Sequence, residues 1–241
     1  VLPDNPFKGS LAAEYDLLRL MCPNSIKLAA MIGDKISHVF TDLKSVEGFE
    51  IGCGTGICTH YILKSHKNIN LTAVDNSSHM LVQAKDLLEK ELAAGRLNLI
   101  EKDALAQLKL APSQSLDFVA SNYAIHNFDI SYRQEALNEI LRILKPGGFA
   151  RIIVPNIKVS GMYLLQDKMF DTIYQSPGGD VAAYDLIYSH RYYVRRNNND
   201  DACFHKAGYT KNIVQKLADE HSLNMTSKEN NCNLIITLKK D

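Results

Sequence analysis

The residues of this 241-residue chain best suited to chemistry are Glu50-Ile51-Gly52-Cys53-Gly54-Thr55-Gly56. Glycines at 52, 54 and 56 let the backbone turn sharply and let a ligand approach the main-chain amides closely. Val46 to Ile51 reads as a strand feeding the loop, and a helix runs from it to about Lys64. A dinucleotide fingerprint GxGxxG wants glycine at position 57, where the chain has Ile57, which weakens a nicotinamide reading. Taken alone, the loop reads equally as a tight strand-to-helix turn with no ligand. Nineteen residues after Gly56 comes Asp75, closing a second strand over Asn70 to Val74. An acid at that interval can accept from both hydroxyls of a ribose. The competing reading makes Asp75 a cap for the helix that starts near Asn76.

Other side chains could act on a substrate. His126 follows a fourth strand, at the edge where doubly wound sheets bind ligands, and imidazole accepts a proton near neutral pH. The alternative is a histidine that only packs or hydrogen-bonds there. Tyr15 and Arg19 lie four apart and share a helical face, and an arginine fork suits a carboxylate. Otherwise Arg19 is solvated and Tyr15 packed. Tyr184, Tyr188, Arg191 and Tyr192, with His190, Arg195 and Arg196 beside them, could line a pocket for an aromatic or anionic substrate. A self-packing lid or a dimer surface is the competing account.

The elements that would position these groups alternate. Helices are expected over Leu11 to Met21, capped by Ser10, and over Ser25 to Val39. After the loop and the second strand, Ser77 caps a helix through Leu92. Strands follow at Leu97 to Ile100, ending near Asp103, and at Leu116 to Ala120. A helix from Tyr132 to Leu144 is stopped by Lys145-Pro146-Gly147-Gly148, and a fifth strand covers Phe149 to Val154. Alternating strands and helices imply a parallel sheet covered on both faces. Near the end a helix from Tyr209 to His221 precedes strands at Leu223 to Ser227 and Leu234 to Leu238. Glu229, Asn230 and Asn231 suggest a hairpin turn between them.

Composition narrows the field. Acidic and basic residues balance at 27 each, which argues mildly against a polyanion as the main partner despite Arg191, Arg195 and Arg196. The five cysteines include no CxxC pair, so neither a disulfide framework nor a metal site is indicated. No run approaches the roughly 20 apolar residues of a membrane span and no secretory signal opens the sequence, so the cytoplasm is the expected location.

With these motifs in order, the sequence resembles the class I S-adenosylmethionine-dependent methyltransferases, especially the ubiquinone/menaquinone-biosynthesis C-methyltransferase group. The resemblance runs from about Tyr15 to Val154. It makes EIGCGTG the cofactor loop, with Glu50, Gly52, Cys53, Gly54 and Gly56 beside the ligand. Asp75 of VDNS becomes the ribose acid, with Asn76 and Met80 nearby. Asp103-Ala104 is matched to the pair whose Asp meets the adenine amino group. LDFVASNYAIHNF faces the sulfonium, with Asn122 near the methionine part and Tyr123 as a wall. LRILKPGG, residues 141–148, is a family marker. Tyr15 and Arg19 would reach the methionine carboxylate from a helix folded over the cofactor. Glu47 and Gly48 depart from the family's strongly apolar first strand.

The resemblance implies a Rossmann-like fold: a seven-stranded, mostly parallel sheet with helices on both faces, a C-terminal antiparallel hairpin and an N-terminal helical lid. It implies one domain, with the lid at 1–44, the cofactor core at 45–155, a substrate-covering insertion at 156–207, and the last helix and hairpin at 208–241. S-adenosyl-L-methionine would be the cofactor, S-adenosyl-L-homocysteine its product and a small molecule the methyl acceptor. The chain would be a monomer or homodimer with no metal. tRNA or protein methylation, a carboxy-S-adenosylmethionine synthase activity and a non-catalytic cofactor binder are the alternatives. SNYA replaces the NPPY-type segment of many base methylases.

Overall fold

The computed structural model describes residues 25–125, 128, 130–155, 224–230 and 233–240. Its strands are β1 (Val46–Ile51), β2 (Ile69–Asp75), β3 (Leu97–Glu101), β4 (Leu116–Asn122), β5 (Leu144–Pro155), β6 (Asn224–Asn230) and β7 (Asn233–Lys239). Among the described residues they form one sheet in the order β3-β2-β1-β4-β5-β7-β6. β1 to β5 run parallel, while β7 pairs antiparallel with β5 and β6. β1 is buried along both faces, as a central parallel strand must be.

The helices are α1 (Ser25–Val39), α2 (Ile57–Ser65), α3 (Ser78–Leu87), α4 (Glu89–Ala93), α5 (Ala104–Leu110) and α6 (Ile130–Ile143). On one face Leu28, Ala29, Ile32 and Ile36 of α1 join Ile62, Leu63, Leu81 and Ala84 of α2 and α3. They cover Leu71, Ala73, Phe118, Ala120 and Phe149 of the strands. On the other face Leu105 and Leu108 of α5 and Ala136, Leu137, Ile140 and Leu141 of α6 cover Phe49, Ile51, Val74, Val119 and Ile152. Burial at this density is the main stabilising force of the fold.

Several expectations need correction. The segment 25–39, expected within a lid, is part of the core layer: Leu28, Ala29, Ile32 and Ile36 have no exposed surface. The rest of the expected lid, 1–24, lies outside the described residues, as do the helices expected at 11–21 and 209–221 and the insertion at 156–207. The single helix from Ser77 to Leu92 is two helices. Leu88 leaves helical geometry at φ −112°, ψ 21° while its side chain is fully buried. Glu229 and Asn230 belong to β6, paired with Leu234 and Asn233, so they do not form the hairpin turn. α5 lacked a periodic signal because only seven residues form it.

The departures at Glu47 and Gly48 have a packing reason. A Cβ on Gly48 would lie 2.1 Å from Phe118 Cζ, so the strand needs glycine where that ring crosses it. Glu47 stands at the amino end of β1, its carboxylate accepting from Ser45 Oγ and Asn70 Nδ2 at 2.8 Å each.

Candidate cofactor site

Strand order turns outward in both directions between β1 and β4, and ligands of open α/β sheets bind beyond the carboxyl ends at such a switch point. The glycine loop lies there. Gly52 and Cys53 both donate N–H to Val74 O, at 2.8 and 3.1 Å, and Gly56 N–H closes onto Cys53 O at 3.0 Å. The three glycines have φ of 68°, 54° and 87°, left-handed values that cost an L side chain about 1–2 kcal/mol. Their surroundings differ. A Cβ on Gly52 would strike Ala124 Cβ at 2.2 Å, and one on Gly56 would crowd Leu88 and Ala84. One on Gly54 would meet nothing within 4 Å among the described residues, which leave the loop open at its middle glycine.

Asp75 is tied to this opening. Its Oδ2 accepts from Gly54 N–H at 2.8 Å and its Oδ1 from Ser77 N–H at 2.9 Å. The helix-capping oxygen itself belongs to Ser77, whose Oγ accepts from Met80 N–H. Asp75 thus holds the loop against the start of α3, and burial raises its pKa although backbone N–H groups of Gly54, Ser77 and Asn76 oppose that shift.

Beneath the loop Glu50 has no exposed surface. Thr59 Oγ1 donates to its Oε2 at 2.6 Å, and the Cys58 thiol hydrogen-bonds the same carboxyl group. Oε1 is buried with no partner among the described residues. Burial pushes the Glu50 pKa from 4.5 to about 7. Cys53 and Cys58 are free, buried and raised well above their ordinary pKa by the same desolvation, so both are thiols rather than thiolates.

Across the switch point Asn122 ends β4, and its Oδ1 is a second buried acceptor without a partner among the described residues. Tyr123 follows with φ 56° and donates N–H to Ile153 O at 2.9 Å. Asp103 caps α5, its Oδ1 accepting from Ala106 N–H at 2.8 Å, and the Tyr132 hydroxyl donates to Oδ2. Lys102 N–H bonds Asp75 O at 3.0 Å, which ties the approach to Asp103 to the end of β2.

Glu50, the glycine loop, Asp75, Asp103 and Asn122 are thereby gathered along one edge of the sheet. Asn76 is exposed beside Asp75, while Met80 and Ala104 turn into the protein. Tyr15, Arg19, His126, Tyr184, Tyr188, Arg191 and Tyr192 lie outside the described residues. Thr59 and Tyr132 escaped the sequence reading. Thr59 hides in a helix pattern, and Tyr132 is 29 residues from the acid it touches.

Residues 49–148 match the model of a methyltransferase domain. The match covers less than half of the chain. A ubiquinone/menaquinone biosynthesis C-methyltransferase of Campylobacter jejuni is 31% identical over 154 residues, 61% of each chain. A demethylmenaquinone methyltransferase of Leptospira interrogans is 34% identical over 110 residues, 45% of this chain and 43% of that protein. This chain therefore spans from about two fifths to three fifths of these relatives. In fold it is similar to a Methanococcus maripaludis structure described as an S-adenosyl-L-methionine-dependent methyltransferase, with TM-score 0.61 and 17% identity over 100% of this chain and 97% of that one. Among the described residues no helix is long and apolar enough to cross a membrane, and no cluster of potential metal ligands occurs.

Proposed function

We propose that this protein binds S-adenosyl-L-methionine at the β1–β4 switch point and transfers its methyl group to a small-molecule acceptor. The observation that carries the reading is the open Gly54 bonded to Asp75, flanked by Glu50 Oε1 and Asn122 Oδ1, acceptors without a partner among the described residues. A set of buried acceptors and acids fits a ligand that brings donors and positive charge: ribose hydroxyls, an ammonium and a sulfonium. It suits the pyrophosphate of a dinucleotide poorly, because phosphate brings acceptors and negative charge.

The cofactor supplies an activated methyl group, and the chain supplies alignment and a dry site. Asp75 accepts from the ribose hydroxyls with the lone pairs left by Gly54 and Ser77. Glu50 and Asn122 take the ammonium end. Asp103 accepts from the adenine amino group. Tyr15 and Arg19 hold the carboxylate, and Tyr184, Tyr188, Arg191 and Tyr192 contact the acceptor. His126, four residues beyond β4, takes the acceptor's proton where one must leave. The Campylobacter and Leptospira names concern quinone methylation, which makes a cyclic, apolar acceptor the first class to screen.

Calorimetry with S-adenosylhomocysteine and with NAD tests the reading. The expected result is binding of the first alone, and the reverse would overturn the proposal. Asp75→Ala should weaken S-adenosylhomocysteine binding by about 1.5–3 kcal/mol, roughly tenfold to a hundredfold. His126→Asn should leave that affinity intact and slow turnover by about 10²–10⁴-fold. Full turnover in His126→Asn would leave alignment as the only contribution of the chain.

A further inference from the structure

We propose that Tyr132 is the positioning residue that makes Asp103 selective for adenine over a 6-oxopurine. The proposal rests on the cofactor reading above. Tyr132 lies on α6 and reaches across to the loop between β3 and α5. Its hydroxyl accepts from Leu105 N–H at 3.0 Å and donates its one proton to Asp103 Oδ2. Ala106 N–H binds Oδ1 at 2.8 Å. Among the described residues each carboxylate oxygen thus has one donor and a lone pair to spare.

The consequence is directional. A carboxylate held by a single backbone N–H can swing about its side-chain torsion, whereas one gripped at both oxygens presents its remaining lone pairs in fixed directions. An exocyclic amino group donates to such an acceptor. A 6-carbonyl meets it lone pair to lone pair, and discrimination by an unpaired or repelled polar group is far steeper than discrimination by shape. Tyr132 is itself fixed. Its ring packs edge-to-face on Phe128 with centroids 4.7 Å apart, and the Arg133 guanidinium donates to Phe128 O. Ile125 O accepts from Phe128 N–H at 3.1 Å, so the same contacts join Asp103 to the segment leaving β4.

The test compares S-adenosylhomocysteine with S-inosylhomocysteine by calorimetry. The wild-type protein should bind the adenine ligand at least tenfold more tightly. Equal affinity would overturn the proposal without any variant, and binding of neither ligand would instead show that the cofactor reading has failed. Tyr132→Phe should cost the adenine ligand about five- to tenfold and the inosine ligand less than twofold. In an Asp103→Ala background the same substitution should change neither affinity more than twofold. A purely structural Tyr132 would lower the melting temperature and leave the ratio of the two affinities unmoved, which would sink the idea.

Discussion

At the amino edge of the sheet, both Asp117 carboxylate oxygens lie 2.9 Å from Lys145 Nζ, and Oδ2 also takes Glu47 N–H at 2.8 Å. At the carboxyl edge Glu50 is more deeply buried, yet one of its oxygens has no partner among the described residues and its pKa is driven up to about 7. Gly52, Gly54, Gly56 and Tyr123 have positive φ at this edge, as Gln114 and Gly147 do at the other, so the backbone alone does not separate the two. One edge is a completed polar structure that ties β1, β4 and β5 together. The other holds buried acceptors in a state that costs stability, which proteins retain where a ligand completes them.

The largest effect should come from breaking the completed edge. Asp117→Ala leaves the Glu47 N–H and Lys145 without their acceptor; the bond from the N–H to a charged group is worth about 1.5–3 kcal/mol and the pair with the 36% exposed Lys145 up to about 1, so about 2–4 kcal/mol should be lost. Denaturant unfolding should show that loss, with S-adenosylhomocysteine affinity unchanged in the folded protein. A fall in affinity with intact stability would erase the distinction between the edges.

Glu50→Gln probes the incomplete edge. The folded protein holds a proton on Glu50 between 4.5 and about 7, where the unfolded chain has lost it. Stability therefore falls as pH rises through that window and stays low above it. Glutamine keeps the shape and removes the charge, so near pH 8 it should raise the unfolding free energy by up to about 3 kcal/mol and do little below 4.5. Binding of the cationic cofactor should weaken at the same time. Equal stability of variant and parent at about pH 8 would show that Glu50 is not a strained group.

The carboxyl edge was the more legible of the two in the sequence, because its conformational demands fall on neighbouring residues. Three glycines in five positions announce a strained turn, and Asp75 follows at a length set by one helix and one strand. Asp117, Lys145 and Glu47 carry no comparable signal, since their pairing depends on strands 28 and 70 residues apart. Gly48 read as an interruption for the same reason: the Phe118 ring that requires it comes from β4. The break at Leu88 was hidden because its apolar side chain fits the helical pattern even where the backbone leaves it. Tyr132 is the counterpart inside the site, a partner of Asp103 supplied by a distant helix.

Two glycines in the loop give the finest comparison. Gly52→Ala places a methyl 2.2 Å from Ala124 Cβ in a left-handed conformation, so overpacking and backbone strain add to about 2–3 kcal/mol of stability. Its fault is a fold fault, visible in the melting curve before any ligand is added.

Gly54→Ala should do the opposite. At φ 54° the alanine costs about 1 kcal/mol of stability, the smallest effect in the series, because none of the described residues lies within 4 Å of the new Cβ. The methyl does occupy the open side of the residue whose N–H holds Asp75 Oδ2. A cofactor seated against the loop would have to share that space, and affinity for S-adenosylhomocysteine should fall at least tenfold while the melting temperature barely moves. The two substitutions add the same atom two residues apart, so backbone strain nearly cancels between them and the remaining difference reports what each glycine faces. If Gly54→Ala binds the ligand as the parent does, the opening at Gly54 is unused space and the cofactor contacts the edge elsewhere.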